Sequence, residues 1–293
     1  MFEIGRLGLG TVQFGLSYGI SNSSGQTTVD ESQTILRVAS DAGIRIVDTA
    51  IEYGESESRI GSFNANEFKI VTKIPYLNLG AYTVEDLIKK YFSSSRIRLN
   101  TNSVYGLLLH RPDQLLEPYG KEIWRELEVL KSTGFAKKIG ISISSFHNLD
   151  QILNHYKVDL VQVPVNPFDH RLISDGWLDK LKNQGVEIHS RSTFLQGLLL
   201  MELHEIPNKF HEWDAFFVRW HTWLLELGVS PLEACLQFPF SIPDIDCVLV
   251  GVNSVKQLDE ILNISKREFR DDAWSSFACD DELLVNPSHW DRL

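Results

Sequence analysis

Asp48, Tyr53, Lys73 and His110 are the side chains whose types and order could deliver a proton to a reacting oxygen. Asp48 stands in Val47-Asp48-Thr49-Ala50, and Tyr53 follows in Ile51-Glu52-Tyr53-Gly54. Lys73 lies in Val71-Thr72-Lys73-Ile74-Pro75, and His110 in Leu108-Leu109-His110-Arg111-Pro112-Asp113. A free tyrosine has a pKa of about 10 and gives up its proton poorly at neutral pH. A nearby ammonium stabilises the phenolate and lowers that pKa. A carboxylate beside the lysine keeps it charged and oriented. A histidine facing the same space hydrogen-bonds a substrate oxygen and polarises it. Such a set suits addition of hydride to a carbonyl with protonation of the developing alkoxide. The roles it predicts are Tyr53 as general acid, Lys73 as its electrostatic tuner, Asp48 as the lysine's partner and His110 as orienter.

Each of the four has an ordinary reading when taken alone. Asp48 could cap a turn, Lys73 could be a solvated strand end, His110 a structural donor and Tyr53 a packed loop aromatic. Together they fall at the ends of neighbouring apolar runs, in an order that four separate accidents would have to reproduce.

Those runs are short and rich in Val, Ile and Leu, as parallel strands covered on both faces must be. Eight are predicted: Leu7–Gly10, Arg45–Thr49, Phe68–Lys73, Val104–Leu109, Lys138–Ser142, Leu160–Val163, Val186–Ser190 and Cys247–Val250. Helical periodicity fills the gaps at Asp30–Ala42, with Asp30 as its cap, and at Thr83–Arg98, where Thr83 and Asp86 have capping-box spacing. It continues at Lys121–Lys131, Leu149–Tyr156, Trp177–Asn183, Phe210–Leu227, Ser230–Phe238 and Ser254–Ser265. Strand and helix alternating in this way predict one (β/α)₈ TIM barrel, a single domain over residues 1–293. The rival, an open doubly wound sheet, usually carries a GxGxxG turn after its first strand, and Gly8-Leu9-Gly10-Thr11-Val12-Gln13 is not one. In a barrel the carboxyl ends of the strands form the working face, where the four residues fall.

The chain of 293 residues carries a formal charge of −11, which argues against nucleic acid or an anionic membrane as partner. Cys235, Cys247 and Cys279 form no CxxC pair, and no HxH or HxxxH pair stands at a strand end, so neither a disulfide framework nor a metal is expected. No secretory signal and no apolar run of membrane length is found, which points to the cytoplasm.

With Leu9-Gly10-Thr11, Val47-Asp48-Thr49-Ala50, Glu52-Tyr53-Gly54, Thr72-Lys73 and Leu109-His110-Arg111-Pro112-Asp113, the chain resembles the aldo-keto reductases from about residue 7 to about residue 265. The resemblance implies reduction of an aldehyde or ketone by NADPH, with NADH as the alternative, on a barrel without metal. It assigns cofactor contacts to Gly10, Thr11 and Val12, to Ser142 and Gln162 on the carboxamide, and to Arg191, Ser192, Phe194, Leu195 and Gly197 beside the nicotinamide. Gly251, Asn253, Ser254, Gln257 and Glu260 fall where the adenosine and its 2′-phosphate are held. The chain departs from the family pattern at Ile143, where Asn is usual, at Arg191, where Tyr is usual, and at Gly251 and Gln257, where cations are usual. A guanidinium at 191 can stack on a ring and should disfavour the oxidised cofactor. Tyr18 and Tyr76 are expected to line the substrate pocket, with Phe168 and Trp213 as further walls. Arg191, Asn166 and His110 near the mouth suit a polar, sugar-like carbonyl, and the tail 281–293 either selects substrate or caps the barrel. Two other readings stay open: a cofactor-binding redox sensor with little turnover, and a Schiff-base enzyme of the class I aldolase type using Lys73.

Overall fold

The computed structural model describes residues 3–264 and 274–293; Ser265, the last residue of the helix expected from Ser254, lies outside them. The eight strands are all parallel and close in sequence order, with β1 (Leu7–Gly10) hydrogen-bonded to both β2 (Ile46–Asp48) and β8 (Cys247–Gly251). Between them run β3 (Lys69–Ile74), β4 (Val104–Leu109), β5 (Ala136–Ser142), β6 (Leu160–Pro164) and β7 (Glu187–Arg191). The expected (β/α)₈ barrel is therefore the fold. Strand limits move by one or two residues, and two shifts matter: Arg191 and Gly251 are the last residues of their strands, not loop residues beyond them.

Alternation along each strand sorts the side chains into two sets. One faces the helices and belongs to the large outer core, including Val47, Ile70, Leu107, Ile139, Val161, Ile188 and Val248. The other fills the barrel with Ile46, Val71, Leu108, Leu160, Cys247 and Leu249. Continuing the inner set to the strand ends brings Gly10, Asp48, Lys73, Ser142, Gln162, Arg191 and Gly251 to one rim, with His110 directly after β4. At the opposite end, Glu187 accepts hydrogen bonds from Tyr105 and His189, both at 2.7 Å, and from Lys138. Ion pairing and hydrogen bonding hold the Glu187 carboxyl down to about 2 against the effect of its burial.

The helices start where local chemistry satisfies their free N–H groups. Thr83 and Asp86 form the reciprocal capping box expected for Val84–Leu99. Asp30 is not the cap of its helix: Thr28 accepts from Glu31 N, so that helix runs Val29–Asp41. The stretch expected as one helix, Phe210–Leu227, begins as a 3₁₀ segment, Asn208–Trp213, and becomes α-helical over Asp214–Leu227. Ser230 caps Pro231–Phe240, with proline in the first turn where its missing N–H costs nothing. Among the described residues, no helix is long and apolar enough to cross a membrane.

Candidate active site

Lys73 is 1% exposed, and its Nζ lies 2.8 and 2.7 Å from the two Asp48 carboxylate oxygens and 2.8 Å from the Thr49 carbonyl. Three acceptors match the three hydrogens of an ammonium. Burial pushes the Lys73 pKa down and Asp48 pushes it back up; the saturated donor geometry favours the ammonium form. Gln162 Nε2 donates to Asp48 Oδ1 at 2.5 Å, so β2, β3 and β6 are joined by one buried polar cluster.

Tyr53 sits above this cluster, its ring centre 5.1 Å from Lys73 Nζ and 5.7 Å from the His110 ring, which it meets edge-on. Two close backbone approaches hold its loop. A Cβ at Gly15 would fall 1.7 Å from the Tyr53 carbonyl oxygen, and one at Gly54, where φ is +53°, would fall 2.5 Å from the Gly15 carbonyl. Below the loop, Ser56 Oγ donates to Thr11 at 2.7–2.9 Å and lies 3.0 Å from Thr49 Oγ1, while Thr11 Oγ1 donates to the Asp48 carbonyl at 2.8 Å.

The phenol departs from the sequence expectation. Lys73 was expected to lower its pKa, yet the Tyr53 phenol is raised well above 10. Desolvation is the first cause, and the Asp48 and Glu52 carboxylates add to it, against the pull of Arg191 and Arg111. With its charge bound to Asp48, Lys73 presents Tyr53 with an ion pair, which stabilises a phenolate far less than a lone cation. His110 is pushed down to about 3, first by burial and then by Lys73, Arg111 and Arg191, so its imidazole is neutral at physiological pH. Its Nδ1 is 2.9 Å from Glu52 Oε2, and this buried nitrogen makes no hydrogen bond.

These groups open into a cavity of about 660 Å³. Asp48, Tyr53 and His110 form part of its wall, as do Gly10, Thr11 and Val12, Ser142 and Gln162, and Arg191, Ser192, Phe194 and Gly197. Gly251, Asn253, Gln257 and Glu260 line the far arm, and Tyr18 lines the mouth. Several expected residues lie elsewhere. Lys73 is behind Asp48. Leu195 is fully buried in the core. Ser254 caps the Val255–Leu262 helix. Tyr76 is 48% exposed with its hydroxyl 3.2 Å from Glu117, outside the cavity. Phe168 is buried against Phe216, Phe217 and Trp220 and is no wall of the pocket. Asn166 spends its amide on the Ser192 carbonyl and on the Phe168 and Asp169 N–H groups. Trp213 contributes indirectly by donating to Asp281 at the start of the tail.

Other lining residues were not singled out from the sequence: Gln13, Asn22, Arg111, Ser144, Gln196 and Leu232. Of these, Gln13, Arg111 and Gln196 adjoin residues that were. From the tail come Asn286, Pro287 and Ser288, placed by an ion pair between Arg171 and Glu282 at 2.6 Å. Ser192, Leu195 and Gln196 hold left-handed φ values of 60°, 47° and 55°, a strained loop of the kind found where backbone must meet a ligand. Ile143 is buried, and its carbonyl accepts from Arg191 Nη2 at 2.5 Å, while Nη1 donates to Ser192 Oγ. Arg191 Nε and Gln162 Oε1 are buried without partners. One is a donor and the other an acceptor, and both residues face the cavity.

A closed parallel barrel with Asp, Tyr, Lys and His at its carboxyl rim opens there into a cavity large enough for a small molecule. Residues 6–279 match the model of the aldo/keto reductase family, and the chain belongs to that family. It is a nicotinamide-dependent oxidoreductase. It is 25% identical to D-threo-aldose 1-dehydrogenase of a Pseudomonas species over 307 aligned positions, covering 90% of this chain and 92% of the relative. It is 28% identical to glyoxal reductase of Bacillus subtilis over 215 positions, 71% of this chain and 74% of that one. The fold is shared with an aldo-keto reductase of Bacillus halodurans in its holo form, with a TM-score of 0.74 at 18% identity over 97% of this chain and 94% of that one.

Proposed function

We propose that this protein reduces an aldehyde or ketone to an alcohol, with Tyr53 as the general acid. The observation that carries the reading is a phenol held in its protonated form at the cavity wall, beside a neutral histidine and over a saturated Lys73–Asp48 pair. The residues present fit a nicotinamide dinucleotide. Gln162 Oε1 is an orphaned acceptor suited to a carboxamide N–H, and Ser142 is its register partner across β5 and β6. Arg191 Nε is an orphaned donor on the neighbouring strand. The reduced cofactor, when bound, supplies a hydride to the carbonyl carbon.

The chain's own residues do the rest. His110, being neutral, orients the carbonyl oxygen by a hydrogen bond without placing a charge beside it. As negative charge gathers on that oxygen, the Tyr53 O–H bond breaks and the new O–H bond of the alcohol forms. The phenolate then takes a proton from solvent. Lys73 and Asp48 fix the floor beneath the phenol, and Lys73 has no free donor or lone pair with which to form a Schiff base. The polar mouth, with Tyr18, Arg111, Asn286 and Ser288, supports a small hydroxylated carbonyl as substrate. The three cysteines are unpaired, in keeping with a reducing cytoplasm.

The test is a panel of hydroxyaldehydes, dicarbonyls and aldoses incubated with enzyme and reduced cofactor. The reading predicts one alcohol formed per cofactor oxidised. Tight cofactor binding without turnover on any carbonyl would support the redox-sensor reading instead.

A further inference from the structure

We propose that this chain takes NADH in preference to NADPH, because a carboxylate of its own already pairs with the helix terminus bordering the cavity arm to which the family resemblance assigns the 2′-phosphate. This rests on the nicotinamide-dependent reading above and reverses the sequence expectation of NADPH. The terminus in question opens the Val255–Leu262 helix after β8. A helix N-terminus binds phosphate through N–H groups that have no other partner. Here Val255 N donates to Glu31 Oε1 at 2.6 Å, Asn253 N donates to Gln257 Oε1 at 2.7 Å, and Gln257 N donates to Ser254 Oγ at 3.3 Å.

Glu31 is held in place. It lies in the first turn of the Val29–Asp41 helix, and the segment before that helix is tied to the same loop. Asn253 Nδ2 donates to the Gly25 carbonyl at 3.2 Å, and Thr27 Oγ1 donates to the Asn253 carbonyl at 3.4 Å. The charges nearby point the same way. Glu260 lines this arm of the cavity, and Lys256, the cation on the same turn, lies 3.9 Å from the Glu260 carboxylate with its side chain 86% exposed. The arginines that line the cavity, Arg111 and Arg191, are at the other end, where they act on Tyr53 and His110. A 2′-phosphate would bring about two negative charges toward two carboxylates. A ribose 2′-hydroxyl is a donor, and a carboxylate accepts from it, as in other NAD-binding sites.

The test is calorimetric titration of the purified enzyme with NADH and with NADPH, with no carbonyl present. NADH is expected to bind at least about tenfold more tightly. Glu31→Gln keeps an acceptor for Val255 N and removes the charge, so NADPH should bind several-fold more tightly while NADH is nearly unchanged. Glu260→Gln, which leaves the Val255 contact alone, should move NADPH in the same direction. NADPH binding as tightly as NADH, or more so, would overturn the preference. An unchanged NADPH affinity in both variants would overturn its assignment to these carboxylates. Failure of both cofactors to bind would overturn the reductase reading and this inference with it.

Discussion

Lys73 and Asp48 are bound to each other through both carboxylate oxygens, and the Thr49 carbonyl takes the remaining ammonium hydrogen. The pair is a closed unit, buried at the centre of the rim. The lysine is thereby kept from acting as a nucleophile, and the carboxylate is fixed beneath Tyr53.

Breaking the pair should damage fold and function together. Lys73→Met leaves the Asp48 carboxylate buried without its cation, and loss of one partner of a buried pair typically destabilises by about 3–5 kcal/mol. Urea unfolding of the variant should show a loss of that order, with the midpoint falling and the slope retained. Borohydride with a carbonyl substrate should trap no adduct on Lys73 of the wild-type enzyme.

Gly15 should be intolerant of a side chain. The Cβ of Gly15→Ala would overlap the Tyr53 carbonyl oxygen, so the loop carrying the phenol must shift. Turnover should fall by about 10²-fold, what a misplacement of an ångström in a catalytic group can bring. Cofactor affinity should be retained, because the residues lining the far arm are untouched. Equal loss of turnover and cofactor binding would point to general unfolding.

Acid should destabilise the protein in part through His110. Its folded pKa is about 3 against an ordinary 6.5, so between these values the unfolded chain holds the extra proton. The stability that this neutral imidazole contributes is therefore full above pH 6.5 and is lost as pH falls toward 3. Denaturant melts from pH 7 to pH 4 should show a shallower decline for His110→Asn than for the wild type. The rate of reduction should show no step from His110 near pH 6.5, the pH at which an exposed histidine titrates.

Arg191→Tyr should change which redox form of the cofactor is favoured. The guanidinium lies at the cavity wall, fixed by the Ile143 carbonyl and Ser192. Removing its positive charge should raise affinity for the oxidised form relative to the reduced form. An unchanged ratio in fluorescence titrations with both forms would show that the charge does not reach the ring.

The rim was readable in the sequence because alternation in a strand is strict. Once the eight strands are placed, Asp48, Lys73, Ser142, Gln162 and Arg191 follow as inner positions at their ends. Tyr76 was misjudged because it stands two residues beyond β3 and past Pro75, where alternation no longer sets direction. The phenol's environment was not legible, since Arg111 and Arg191 reach it from the loop after β4 and the end of β7 and its burial depends on the whole rim. The Thr28-Val29-Asp30-Glu31 run did carry a capping-box pattern. What it did not reveal is that the Glu31 carboxylate turns away to Val255, 224 residues further on. Arg171 and Glu282, which seat the tail, are likewise 111 residues apart and share no local pattern.

The most direct test of Tyr53 as the acid is a single-turnover measurement of carbonyl reduction at saturating cofactor in wild type and Tyr53→Phe. The account predicts a rate lower by about 10²–10⁴ in the variant, the range for loss of a general acid, with cofactor affinity unchanged. A Tyr53→Phe rate equal to that of the wild type would contradict it and assign the proton to another group at the rim.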